Sequence, residues 1–199
     1  MQAFWNERYA QSEYAYGEVP NQFFQDQLPK PFGEGQALFP GEGEGRNAVY
    51  AAQRGWTVCA FDLSARGQEK ALQLATQRQV DLRYEVANVL EYEFPEMEYD
   101  LIGLFFVHLP PELRQLLHQK TVTALRTGGM VILEAFHPRQ LGLDSGGPKR
   151  TDMLYSTENL REDFSKLDIQ QLQHTVGYLR EGRYHQGEAQ LTRMIAKKT

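Results

Sequence analysis

The segment "QALFPGEGEGRNAVYAAQRGWTVCAFD", residues 36–62, constrains the fold more than any other part of the chain. A short apolar run enters a loop carrying Gly41, Gly43 and Gly45. Ala48, Ala51 and Ala52 follow at helical spacing, Gly55 is placed to stop that helix, and a second apolar run ends on Asp62. Strand, glycine turn, helix and strand in this order make a parallel unit with a right-handed crossover. The helix of such a unit must pack on a sheet, and further strands extend it.

The rest of the chain supplies them. Ser64 caps a helix over 65–79, and 81–86 alternates as a half-buried strand. Residues 99–107 are nearly continuous in apolar side chains, as a strand covered on both faces must be. Pro110 and Pro111 open a helix with Leu113, Leu116, Leu117 and Leu125 on one face, "TGG" at 127–129 ends it, and 130–136 is another buried strand. A long Pro- and Gly-containing loop, a short helix over 156–167 and two strands, 169–179 and 189–198, complete the chain, with 180–188 as the connection. The expected fold is α/β: a Rossmann-like, doubly wound, mostly parallel seven-stranded sheet with an antiparallel C-terminal edge hairpin. One domain over 1–199 is expected, with 1–30, which lacks strand signals, as a cap or lid.

Composition narrows the partners. The net charge of −5 argues against nucleic acid, since neutralising phosphates needs clustered Lys and Arg. No apolar run approaches the roughly 18 residues of a membrane span, and the N-terminus lacks the apolar core of a signal peptide, so neither membrane partner nor export is expected. Cys59 is the only cysteine, which rules out an intrachain disulfide and leaves no metal site expected. A cytoplasmic protein, monomer or homodimer, fits these features.

In an open α/β sheet a ligand sits outside the carboxyl ends of the strands, where the glycine loop lies. Asp62, at the end of the next strand, can accept hydrogen bonds from both hydroxyls of a ribose. Gly43, Gly45 and Ala48 fit the spacing of a dinucleotide loop, but Glu42 and Glu44 repel a pyrophosphate. S-adenosylmethionine has no phosphate; it carries a ribose and two cationic groups, which an acidic loop suits. Both ligand classes remain open on these residues alone.

The chain resembles the class I S-adenosylmethionine-dependent methyltransferases, and most closely the tellurite-resistance and thiopurine-methyltransferase-like small-molecule enzymes. The resemblance is carried by "WNERYAQSEYAYGEVPNQFF", by "GEGEGRNAVYAAQRGWTVCAFDLS", and by "YDLIGLFFVHLPPELR" with "LRTGGMVILEAF". It implies S-adenosyl-L-methionine as cofactor and a small-molecule acceptor, an oxyanion such as tellurite or a thiol. Gly41, Glu42, Gly43, Gly45 and Asn47 are implied around the donor's amino-acid part, and Asp62 on the ribose. Leu63, Asn88 and Val89 are implied at the adenine, with the amide oxygen of Asn88 on the adenine amino group, and Phe105 and Phe106 beside the donor. Phe39 and Pro40 stand where the family carries an acidic residue, so either donor binding is weak or Glu42 replaces that residue. A degenerate fold serving as a binding module is the reading that follows from the first alternative.

Transfer of a methyl group from a good leaving group asks mainly for alignment and exclusion of water, with a base if the acceptor arrives protonated. The loop 137–155 is expected on the acceptor side, and His137, Arg139, Lys149, Arg150, Arg183 and His185 are the candidate acceptor contacts. His185 and Arg183 are the candidate catalytic residues. His108 is a candidate for the donor pocket, and Trp5, Tyr9, Tyr14 and Tyr16 for an aromatic lid over the sulfonium.

Overall fold

The computed structural model describes residues 1–31 and 34–199. Two helices, α1 (Gln2–Tyr9) and α2 (Gln22–Gln27), precede β1 (Gln36–Pro40). Next come α3 (Arg46–Gln53), β2 (Thr57–Asp62), α4 (Ala65–Gln77), β3 (Arg83–Val86) and β4 (Tyr99–Phe105). Then follow α5 (Pro111–Ala124), β5 (Leu125–Phe136), α6 (Thr157–Asp163), β6 (Asp168–Glu181) and β7 (His185–Lys197). The strands form one sheet in the order β3-β2-β1-β4-β5-β7-β6. β1 to β5 are parallel, and β7 runs antiparallel between β5 and β6. The expected sheet and its C-terminal hairpin are both present.

Leu38, Leu101, Ile102, Val131 and Ile132 are sealed from solvent because helices cover both faces of the parallel strands. The alanines of α3 let it lie close to the sheet, with Ala48 and Ala51 fully buried. Gly45 begins this helix at φ +89, and a Cβ there would stand 2.6 Å from Cβ of Ala71 on α4. Ser64 caps α4 through the Gly67 amide at 3.0 Å.

The neighbours β1 and β4 send their chains to opposite sides of the sheet, which opens a crevice at their carboxyl ends. The N-terminal segment crosses this end. Ala15 donates its N–H to Glu44 of the glycine loop at 2.7 Å and accepts the Arg183 N–H of the hairpin at 3.0 Å.

Several expected boundaries move. β4 stops at Phe105 because Phe106 turns into the left-handed region at φ +57. "RTGG" belongs to β5 and does not end the preceding helix: the Gly128 N–H bonds the Lys198 carbonyl at 2.7 Å, which keeps this stretch in the sheet. α6 ends at Asp163, short of Leu167. The connection expected over 180–188 shrinks to Gly182–Tyr184, with Glu181 paired across the hairpin to His185.

Gly45→Ala is expected to destabilise the protein by about 1–3 kcal/mol from the left-handed conformation and the contact with Ala71 together. Urea denaturation of the variant against wild type measures this.

Candidate functional site

A cavity of ≈ 770 Å³ occupies the crevice. Its walls come from the glycine loop, the ends of β2 and β4, the segment after β3, the loop after β5, the hairpin, and α1. One end is built around the glycine loop, the other around His185.

At the loop end, Glu42 folds back over the N-terminus of α3. Its Oε1 accepts the N–H groups of Asn47 and Ala48, both at 2.8 Å. These are donors that a helix start leaves unpaired, and they are what a phosphate at this position would otherwise use. Both of these contacts are made by Oε1, and Glu42 lines the cavity. Burial raises the Glu42 carboxyl to about 7, against the pull of those two amides. Glu44 acts differently. Besides the Ala15 amide it takes Lys70 at 2.5 Å, so it ties α4 and the N-terminal segment to the loop.

Asp62 ends β2 at 8% exposure, with Oδ2 on the Gly43 amide at 3.1 Å and Oδ1 on the Ser64 amide at 2.9 Å. Each oxygen keeps a lone pair for a ligand. Burial raises this carboxyl to about 6. Gly41 and Leu63 line the same end, as do Val89 and Phe105.

The other implied contacts are placed as follows. Gly43 and Gly45 do not reach the cavity: Gly43 is covered by Tyr9, whose hydroxyl oxygen would lie 2.6 Å from a Cβ there, and Gly45 packs on α4. Asn47 lines the cavity, while its side-chain oxygen accepts the Asn21 amide at 2.9 Å and so ties this wall to the N-terminal segment. The amide oxygen of Asn88 is filled by the Leu90 and Glu91 N–H groups at 2.7 and 3.2 Å, which leaves only its NH₂ for a purine. Those two donors also fix which way the amide points.

At the other end, the His185 ring lies 4.5 Å from Tyr16, 4.4 Å from Phe106 and 5.2 Å from Phe136, centroid to centroid. Phe106 holds its place there in a backbone region that is an outlier for a bulky residue, with its N–H on the Glu134 carbonyl at 2.8 Å. The Nδ1–H of His185 donates to Glu181 Oε2 at 3.2 Å, so Nε2 is the basic nitrogen. Burial lowers the His185 pKa, and Arg46 and Arg8 lower it further, while Glu181 opposes them. Burial pushes Glu181 up, but His185 and Arg46 outweigh it and hold the carboxyl at about 2.

Glu181 anchors a wider network. Arg46 reaches it at 2.8 Å and also donates to the carbonyls of Tyr16 and Val19. Asn21 donates to Glu181 at 3.1 Å and to the buried Glu134 at 2.6 Å, and Arg193 pairs with Glu134 at 2.5 Å. Asn21, Glu134 and Glu181 did not stand out in the sequence as site residues. Asn21 lies within the motif "GEVPN", which was the available signal; the pairing of Glu181 with His185 depends on hairpin register and had none.

Of the candidate acceptor contacts, Lys149, Arg183 and His185 line the cavity. His137, Arg139 and Arg150 do not: His137 stacks on His174 at 4.1 Å and accepts the Arg139 amide, and Arg150 pairs with Asp152. His108 does line it, but as a neutral cross-brace. Its Nδ1–H donates to the Met153 carbonyl at 2.7 Å, Nε2 accepts the Phe136 amide at 3.1 Å, and burial lowers its pKa to about 4. From the N-terminal segment Trp5, Tyr9 and Tyr16 line the cavity, together with Arg8. Tyr14 faces away, its hydroxyl on the Lys70 carbonyl at 3.1 Å. Among the described residues no cluster of His, Cys, Asp and Glu could hold a metal ion.

Residues 38–129 match the family model of a methyltransferase domain. No curated protein matches the sequence. Among solved structures, TehB from Haemophilus influenzae has a TM-score of 0.74 at 16% identity, covering 100% of this chain and 67% of its own. Geranyl diphosphate C-methyltransferase from Streptomyces coelicolor A3(2), in complex with Mg²⁺, geranyl diphosphate and S-adenosyl-L-homocysteine, has a TM-score of 0.71 at 16% identity, covering 100% and 96%. Magnesium protoporphyrin IX methyltransferase from Synechocystis PCC 6803, with bound S-adenosylhomocysteine, has a TM-score of 0.67 at 15% identity, covering 100% and 83%. At these identities the likeness is one of fold: the chain has the architecture of the class I methyltransferases.

Glu42→Ala is expected to lower stability by about 0.5–2 kcal/mol, since two helix amides lose their cap, while Glu42→Gln keeps an acceptor and loses less. Thermal denaturation of the pair at one pH separates the two.

Proposed function

We propose that the protein is an S-adenosylmethionine-dependent methyltransferase acting on a small molecule. The observation that carries this reading is the Glu42 carboxylate seated on the α3 amides. It closes the helix start to a phosphate and presents negative charge where a cationic nucleotide belongs. Arg46, the cation next to the loop, is occupied by Glu181 and two carbonyls. An NAD(P) reading, motivated by the spacing of Gly43, Gly45 and Ala48, loses its phosphate site on the same grounds.

The residues fit the donor. Asp62 retains lone pairs for the ribose hydroxyls, and Glu42 Oε2 suits the ammonium. The Asn88 NH₂ can donate to a ring nitrogen of adenine, in place of accepting from its amino group, with Leu63 and Val89 as the apolar contacts. Phe105 and Phe106 give apolar faces beside the sulfonium. When bound, the donor supplies an activated methyl group. The chain's own part is to align the acceptor, exclude water with Trp5, Tyr9 and Tyr16, and receive a proton on His185 Nε2 when the nucleophile is an O–H or S–H. Glu181 keeps the imidazole in the tautomer that can do this. Arg183 is exposed at the rim and serves to bind an anionic group. On this reading Glu42 replaces the acidic residue missing at Phe39 and Pro40.

Calorimetry with S-adenosylhomocysteine tests the proposal: no binding at millimolar ligand defeats it. Asp62→Ala is expected to weaken that binding by about 1–3 kcal/mol. Because burial holds Glu42 at about 7 in the free protein, pairing with the ammonium draws a proton off at lower pH. Affinity should therefore fall as pH drops below about 7, with proton release that shows as a dependence of the heat on the buffer's ionisation enthalpy. Donor binding without turnover across thiols and oxyanions would favour the alternative of a binding module.

A further inference from the structure

We infer that the acceptor is an aromatic acid, its ring against Tyr16, Phe106 and Phe136, its carboxylate on Arg8 and Arg183, and an ionisable hydroxyl directed at His185 Nε2. The inference rests on the methyltransferase reading and names the substrate class of that same site.

The two ends of this half of the cavity differ in chemistry. Around His185 the walls are rings, with Gly146 and Gly147 closing the other side. A Cβ on Gly146 would stand 2.7 Å from His185 Cδ2, and one on Gly147 would stand 2.9 Å from Phe136. Only residues without side chains can pack so close there, so the backbone of this loop closes the site against the two rings. Toward the rim the character turns cationic. Arg8 lies 3.8 Å over the Tyr184 ring and Arg183 lies 5.8 Å from the same ring. Neither arginine has a carboxylate partner among the described residues; Lys149 also lines the cavity, but with Asp144 of the same wall 3.7 Å from its Nζ. A guanidinium without an anion fits a carboxylate in bidentate geometry.

Tyr16 sets the spacing between the two ends. Its hydroxyl accepts from Arg8 at 3.1 Å, while its ring lies 4.5 Å from His185. Arg8 thus meets the hydroxyl end of this side chain and His185 its ring, so a ligand that reaches both needs a polar group at each end of a body at least one ring long. A small hydrated oxyanion such as tellurite would have to shed water against Phe106 and Phe136 and could not span both ends. An aliphatic thiol would leave the arginines without a partner.

The proton step balances within the site. The hydroxyl proton passes to His185 Nε2, both electrons of the O–H bond stay on oxygen, and the imidazolium is neutralised by Glu181. Arg46 and Arg8 face the same imidazole and favour its return to the neutral form, by loss of the proton to water.

The test uses 4-hydroxy-3-nitrobenzoate, whose phenolate absorbs in the visible, added to the full chain saturated with S-adenosylhomocysteine at a pH where the free probe is protonated at the hydroxyl. Saturable binding with a phenolate band is expected. His185→Gln should bind the probe without the band, and Arg8→Ala should weaken binding roughly tenfold or more, with Arg8→Lys recovering part of it. The probe 3-nitrobenzoate should compete without producing the band. If S-adenosylhomocysteine binds but the probe does not, or tellurite alone displaces it, the aromatic-acid assignment fails and the methyltransferase reading stands. If the probe binds with its band and S-adenosylhomocysteine does not bind, the donor reading fails and the aromatic-acid site stands. Binding unchanged in both Arg8→Ala and Arg183→Ala overturns the carboxylate contact.

Discussion

The pairing of Arg46 with Glu181 joins the two halves of the cavity. Arg46 opens the helix that follows the glycine loop, and Glu181 ends the first strand of the C-terminal hairpin. Far apart in sequence, they meet at 2.8 Å and are both largely withdrawn from solvent. An ion pair removed from water is held only when its remaining hydrogen-bonding groups are satisfied. Here the carbonyls of Tyr16 and Val19 complete Arg46, while Asn21 and His185 complete Glu181. The same contacts bring the N-terminal segment across the carboxyl end of the sheet. One charged pair thus ties together the glycine loop, the N-terminal segment and His185.

Around that pair the cavity separates two electrostatic environments. The glycine-loop end carries Glu42 and Asp62, both carboxyls raised by burial and both with acceptor capacity left. The hairpin end carries Arg8, Arg183 and the neutral His185. On the proposed reading a cationic donor and an anionic acceptor would each be drawn to their own end, which favours productive orientation and disfavours the reverse. Phe106, in its left-handed backbone conformation, stands at the boundary between them. Strain of this kind persists where the surroundings hold it, and here β5 and the rings of Phe136 and His185 do so.

Much of the fold was legible because its signals are local. Apolar runs that are continuous in β4 and β5 report burial on both faces, and the Gly and Pro residues between segments mark where the chain turns. The errors fall where long-range pairing overrides a local sign. Gly128 and Gly129 read as a helix stop, yet Lys198 draws them into the sheet. The glycines of the loop read as one ligand-binding surface, yet only Gly41 lines the cavity, while Gly43 and Gly45 admit Tyr9 and Ala71.

What is already fixed at the level of sequence is the succession of strands and helices along the chain, the glycine loop, and the placing of Asp62 at the end of the second strand. Those properties follow from side-chain periodicity and backbone freedom over a few neighbouring residues. Only the tertiary structure decided what the acids of "LFPGEGEGRN" do: Glu42 caps α3 and faces the cavity, whereas Glu44 is turned to Lys70 and Ala15. It also decided which basic residues share the cavity, bringing Arg8 from the N-terminus and Arg183 from the hairpin to its wall and sending His137 and Arg150 elsewhere. A carboxylate or guanidinium reads the same in any sequence context. Its role depends on which partners burial and chain crossing bring within hydrogen-bonding distance.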